Sequence, residues 1–104
     1  MFRTELNARF HLSSVVVVVG AGLALGVSRI EWMILVLTMS AVLALEAVNT
    51  AIEAICDVVS PEHNEAIGRA KDLAAGAVLI AAIAAVVIAI LVFGQRLLAL
   101  TASA

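Results

Sequence analysis

Polar and apolar residues in this chain come in blocks. A polar start over 1–11 gives way to an apolar run over 12–27 and a short polar link, Ser28-Arg29-Ile30-Glu31. A second apolar run covers 32–45, a stretch of mixed character follows over 46–72, and a last apolar run fills 73–93. Long apolar runs without period-two alternation predict helices. The five valines at 15–19 would suit a strand in water, but in lipid the backbone must satisfy itself and a lone strand cannot. At 1.5 Å per residue, 12–27 with its flanks gives ~24–27 Å and 73–93 gives ~31 Å, against a hydrocarbon core of ~30 Å. The pattern predicts an all-α integral membrane protein: one membrane domain over 1–104, with transmembrane helices at about 12–27, 32–57 and 73–93 packed as a helical bundle.

The second helix is the unusual one. Nothing between 32 and 57 breaks it, so the apolar run and the polar stretch after it belong to one helix. On that helix Glu46, Asn49, Glu53 and Asp57 recur at i, i+3, i+7 and i+11, which is one face. Counted from Trp32, Glu46 lies ~21 Å along and Glu53 ~31 Å. Glu46 should sit just inside the hydrocarbon boundary and Glu53 at headgroup level, so one face touches both lipid and water. Ionisable groups at such depth are costly unless paired, hydrated or metal-bound.

The connections carry their own signals. The short link at 28–31 makes an antiparallel hairpin of the first two spans, and Trp32 stands where an interfacial aromatic belongs. Gly22 and Gly26 match the G-x-x-x-G pattern of close helix approach. Ser60-Pro61-Glu62 reads as a helix restart, with Ser60 as N-cap and Pro61 at the first helical position. Gly76 and the many alanines of the last span suit tight helix contact. Glu5 and Arg9 are spaced to meet on the first helix.

Composition agrees with the pattern: 104 residues, 64% hydrophobic, 13% charged and a mean hydropathy of +1.19. A soluble domain of this length could not hide so much apolar surface. Net charge is −2 with no basic cluster, which argues against nucleic acid as a partner. Cys56 is the single cysteine, so no internal disulfide forms, and a packing role is expected for it. The first apolar run lacks a convincing small-x-small cleavage site and is read as a retained membrane segment rather than a signal peptide. Arg3, Arg9, Arg69 and Lys71 lie on one side of the three spans, Arg29 and Arg96 on the other. The positive-inside rule then puts the N-terminus and the 58–70 connector in the cytoplasm, and the hairpin turn and C-terminus outside.

The polar residues gather on that same side. A Mg²⁺ ion takes one or two carboxylates and completes its shell with water and phosphate oxygens, and Glu5 and Glu53 can supply the carboxylates. Lys71 can hold a phosphate as a point charge, and Glu46, at the lipid boundary, can accept a proton from a hydroxyl. Metal, charge clamp and positioned base are the parts of phosphoryl transfer. No Walker A, kinase or Rossmann signature accompanies them. From the residues alone, two other readings stay open: an ion-binding or ion-conducting assembly lined by the same carboxylates, and a non-catalytic oligomer whose acids pair between helices.

Longer motifs point further. Glu46-x-x-Asn49-Thr50-Ala51-Ile52-Glu53-x-x-x-Asp57, then Ala70-Lys71-Asp72-x-Ala74-Ala75-Gly76-Ala77-Val78, with Glu5-x-Asn7-x-Arg9-x-His11 ahead of them, closely resemble the prokaryotic diacylglycerol kinase / undecaprenol kinase family over roughly residues 5–93. The resemblance implies a homotrimer in the bacterial inner membrane with composite sites at subunit interfaces. It implies an ATP-dependent lipid kinase in which Glu46 is the base on the lipid hydroxyl and Glu5 and Glu53 ligate the metal carried with ATP. Asn49, Lys71 and Asp72 match residues that orient nucleotide and catalytic groups. Glu62, His63 and Asn64 align with a nucleotide-contacting stretch. Asn7, Arg9, His11 and Trp32 match positions near the lipid. The Glu-x-Asn-x-Arg-x-His start looks more like the undecaprenol-kinase branch, with diacylglycerol the other acceptor. Family members usually carry an amphipathic surface helix ahead of the Glu5 motif, and this sequence starts almost at the motif.

Overall fold

The computed structural model describes the backbone of residues 2–59 and 64–103 and the side chains of 9–59 and 64–102. The described residues form three helices, α1 (Phe2–Leu25), α2 (Arg29–Val59) and α3 (Glu65–Ser103). They make an elongated bundle of 60 × 23 × 20 Å. The all-helical expectation holds. Each helix runs past its apolar run into the polar flanks: α2 starts three residues ahead of Trp32, and α3 extends through Gln95 and Arg96 to Ser103.

Local chemistry sets the ends. The first helix stops at Leu25, two residues short of the predicted 27, because Gly26 takes a left-handed φ of 65°. The Val27 amide then donates back to the Gly22 carbonyl at 3.2 Å, the bond of a Schellman cap. Ser28 and Glu31 start α2 as a reciprocal capping box. The Ser28 amide donates to Glu31 Oε1 at 2.8 Å, and the Glu31 amide donates to Ser28 Oγ at 3.2 Å. Asn64 caps α3, its Oδ1 accepting from the amides of Ala66 at 2.9 Å and Ile67 at 3.3 Å. The restart expected at Ser60 and Pro61 falls outside the described residues, and the N-cap of the long third helix is Asn64.

Packing is strongest between α2 and α3, with α1 laid more lightly against both. Ion pairs mark both ends of the α2–α3 pair, Glu31 with Arg96 and Asp57 with Lys71. Their spacing agrees on the two helices to within one residue, so a single antiparallel register runs the full length. The apolar core sits near the hairpin turn, where Val27, Leu35 and Val92 are buried against Val18, Trp32, Ile88 and Phe93. Trp32 does stand in the first turn of α2, but its ring is folded inward over Gly22. A Cβ at Gly22 would lie 2.5 Å from that ring. Gly22 thus serves close approach within the hairpin while Gly26 ends a helix, so the G-x-x-x-G pair has two separate causes.

Elsewhere the helices present apolar side chains outward, among them Leu23, Leu37, Leu73 and Ile80, each at least 70% exposed. Ser14, Thr38 and Thr50 turn their hydroxyls onto the carbonyls four residues back, at 2.9, 2.7 and 3.0 Å. That satisfies them without solvent and suits helices embedded in lipid. By length and composition α2 and α3 can each cross a bilayer, and the apolar part of α1, Arg9–Leu25, is shorter.

Candidate active site

The site lies in the half of α2 away from the hairpin turn. Here the inward stripe that carries Leu35 near the turn continues as Glu46, Asn49, Glu53 and Cys56. Asn49 and Cys56 are buried and the two glutamates half-buried. The helical period that predicted the face holds for these positions. Asp57, the fourth predicted member, departs from it: its side chain is 68% exposed and turned to the rim. The physical reason is its place on the helix: the stripe is centred on the buried Asn49 and Cys56, and at 100° per residue Asp57 falls about 80° round from Asn49, at the stripe's edge. Cys56 takes the inward place instead and is a free, buried thiol, in line with its expected packing role.

Helix α1 brings His11 to Glu46. Its Nε2 lies 4.0 Å from Glu46 Oε2, and both side chains are largely covered, at 23% and 17% exposure. One turn further along α2, the Asn49 amide nitrogen donates to Glu53 Oε1 at 3.4 Å. A carboxylate only accepts, so this contact fixes the amide's orientation and turns Asn49 Oδ1 away. That oxygen is buried and has no hydrogen-bond partner among the described residues. A buried, unpartnered carbonyl oxygen costs about 1–3 kcal/mol, which marks the position as one that awaits a donor or a cation.

The remaining site residues are spread around this centre. Lys71 comes off the second turn of α3 and donates to Asp57 Oδ1 at 2.7 Å. This hydrogen bond, with the nearby Glu53 carboxylate adding a smaller attraction, holds the Lys71 ammonium above its usual pKa. Asp72, one residue on, is exposed and faces with Arg69, Gly76 and Ile80 away from the Glu46 centre. Arg9 is exposed, two residues before His11. Trp32 lies ~21 Å along α2 from Glu46, at the other end of the hairpin. Asn64 uses its side-chain oxygen as the cap of α3. Glu62 and His63, and the side chains of Glu5 and Asn7, lie outside the described residues.

A hard divalent cation fits the donor set in chemistry. Glu53 supplies carboxylate oxygen of the kind Mg²⁺ prefers, and Asn49 faces it with its amide nitrogen, leaving Oδ1 for a separate donor or cation. Among the described residues, no group of three or more His, Cys, Asp and Glu side chains gathers tightly enough to enclose an ion.

Residues 1–93 match the family model described as prokaryotic diacylglycerol kinase. The chain belongs to that family. It is 39% identical over 95 residues to the undecaprenol kinase of Bacillus subtilis, covering 91% of this chain and 77% of that protein. Two diacylglycerol kinases are also similar. That of a Synechocystis species is 43% identical over 88 residues, 84% of this chain and 50% of its own length. That of Escherichia coli K12 is 39% identical over 83 residues, 78% of this chain and 68% of its own length. As a member of this kinase family, the chain is a membrane lipid kinase.

Two features of this lipid kinase escaped the sequence reading. The Glu31–Arg96 pair joins residues 65 positions apart, and no local pattern signals it. The capping box at Ser28 and Glu31 was legible, since Ser-x-x-Glu ahead of an apolar run is its signature.

Proposed function

We propose that this lipid kinase transfers the γ-phosphoryl group of ATP to the hydroxyl of a membrane lipid alcohol, undecaprenol ahead of diacylglycerol. The observation that carries the proposal is Glu46. It is a largely covered carboxylate on an otherwise apolar stretch of helix, met by His11 from α1 and followed one turn later by the Asn49–Glu53 pair. Its depth suits a lipid hydroxyl and that of Glu53 suits a solute at the headgroup level.

In this reading Glu46 accepts the hydroxyl proton as the lipid oxygen attacks the γ-phosphorus. His11 at 4.0 Å helps hold the carboxylate in place. The apolar groove between α1 and α2, about 200 Å³ and lined by Val15, Val18, Trp32, Leu35, Met39 and Leu43 among others, opens one turn from Glu46 and suits an aliphatic chain. Glu53, with Glu5, would hold Mg²⁺, which when bound neutralises charge on the transferring phosphoryl group. Asn49 orients Glu53 through the 3.4 Å contact. Lys71 supplies a positive charge for the phosphates, and Asp72 and the 62–64 connector serve the nucleotide.

Asp72 faces away from Glu46 on its own chain, which supports sites composed between subunits, and the homotrimer is the assembly proposed. With hardly any apolar side chain buried in one copy, neighbouring copies and lipid would cover the rest. All three helices span the membrane in this assembly, with the N-terminus and the 58–70 connector in the cytoplasm, where ATP is. Undecaprenol is favoured by the Glu5-x-Asn7-x-Arg9-x-His11 start, whose last member stands at Glu46.

The test is a transfer assay. Reconstituted protein is given Mg²⁺ and γ-labelled ATP with undecaprenol or diacylglycerol in separate vesicles. Label should enter both lipids, faster into undecaprenol. Faster labelling of diacylglycerol would reverse the acceptor assignment, and absence of label in either lipid would overturn the reaction.

A further inference from the structure

We propose that Asp57 is a positioning residue that holds the Lys71 ammonium at the rim of the site and off the Glu53 carboxylate. The inference rests on the reading above, in which Glu53 serves the cation and Lys71 the phosphates.

Lys71 has two carboxylates within its field, Glu53 and Asp57. They are four residues apart on α2, so their side chains are neighbours on the helix surface. The ammonium is hydrogen-bonded to Asp57 at 2.7 Å, while Glu53 takes its hydrogen bond from Asn49. A lysine is a mobile point charge on a flexible stem. Without Asp57, the other carboxylate among the described residues whose charge acts on Lys71 is Glu53. A Lys71–Glu53 pair would remove a cation ligand and the phosphate charge in one move. Asp57 engages one of three ammonium donors and leaves the other two for phosphate oxygens. Its exposure at the rim suits the task, because a solvated pair is weak enough to adjust when a nucleotide arrives.

The experiment measures binding of Mg²⁺ with a non-hydrolysable ATP analogue by calorimetry on the detergent-solubilised full chain, with KM and kcat for ATP alongside. Asp57→Asn should weaken binding and raise KM about three- to fivefold, the size of an exposed charge-pair interaction, with kcat kept. Asp57→Glu should restore both. In a Lys71→Ala background, Asp57→Asn should add nothing, since no ammonium remains to misplace. The same loss in that background would show a role independent of Lys71 and overturn the inference, as would unchanged binding in Asp57→Asn. If Lys71→Ala alone left nucleotide binding intact, the assignment of Lys71 to the phosphates would fall first. Melting temperatures of the four variants separate these effects from unfolding.

Discussion

The two ends of the α2–α3 pair are built alike and finished differently. At the hairpin end, Glu31 accepts from the Ser28 amide and from Arg96, and Trp32 is seated on Gly22. Leu35 and Val92 close the core around them. At the other end the same inward stripe carries two half-buried carboxylates and an amide oxygen with no partner among the described residues, and α3 faces it with a lysine tied at the rim. A region whose polar groups are all answered contributes to stability. One that keeps buried polar groups waiting gives up stability, and the reason for keeping it lies in what binds there. This difference supports the proposal that the reaction belongs to the open end, and substitutions at the two ends should then fail in different ways.

The largest effect should come from Glu46→Gln. It keeps the shape and removes the proposed proton acceptor, so kcat should fall by about 10²- to 10⁴-fold, the usual contribution of a general base. Binding of the ATP analogue and the melting temperature should stay near those of the unchanged protein. Single-turnover transfer from labelled ATP, with calorimetry alongside, measures both. Undiminished turnover would remove Glu46 as the base and blur the division between the ends.

Next in size is Asn49→Ala. Asn49 orients Glu53 through its amide nitrogen, and the loss of such an outer partner typically lowers metal affinity or activity by about 10- to 100-fold. The Mg²⁺ concentration needed for half-maximal transfer should rise accordingly. Removal of the unpartnered Oδ1 should also spare the folded state its cost, so melting should not drop in proportion. Equal losses of stability and Mg²⁺ response would instead make Asn49 a packing residue.

How much of this was legible in the chain follows from how local each cause is. The three helices, and the face shared by Glu46, Asn49 and Glu53, are written in a 3.6-residue period that needs no other part of the molecule. Asp57 fits the same period only at the edge of the face, and which edge is covered depends on how α3 packs against α2. Gly22 and Gly26 look equivalent in the sequence. They differ because one lies under the Trp32 ring and the other takes a positive φ, and both facts depend on the hairpin having formed. The meeting of His11 with Glu46 needed both the hairpin and its register. That Glu31 would reach Arg96 required the register of two helices over their whole length.

At the hairpin end, Gly22→Ala tests the fold rather than the reaction. The added Cβ would meet the Trp32 ring at 2.5 Å, and a displaced core ring typically costs about 1–3 kcal/mol. A lower melting temperature is expected, with the KM for ATP unchanged in the protein that remains folded. Trp32→Leu in the same chain should recover part of the loss by clearing the space. A melting temperature that did not move would mean that the ring leaves without cost and that the hairpin is not held there.

The smallest effect concerns Arg96→Gln, and its signature is a pH dependence. Glu31 stands ahead of the second span, outside the apolar run. The Arg96 hydrogen bond, helped by the Ser28 amide, lowers its pKa from 4.5 to about 2. A carboxyl held below its unfolded value contributes stability that is complete above pH 4.5 and is lost as the pH falls toward 2. Arg96→Gln removes the first of those causes and leaves the capping box. Stability near pH 7 should therefore fall slightly, and the decline between pH 4.5 and 2 should become shallower than in the unchanged protein. Thermal melts in detergent across that range measure the difference between the two curves. Because the Arg96 side chain is 35% exposed, added salt should narrow the gap. Parallel curves at every pH would show that Arg96 acts through its stem rather than its charge, and would move the hold at this end from the ion pair to the packing around Leu35 and Val92.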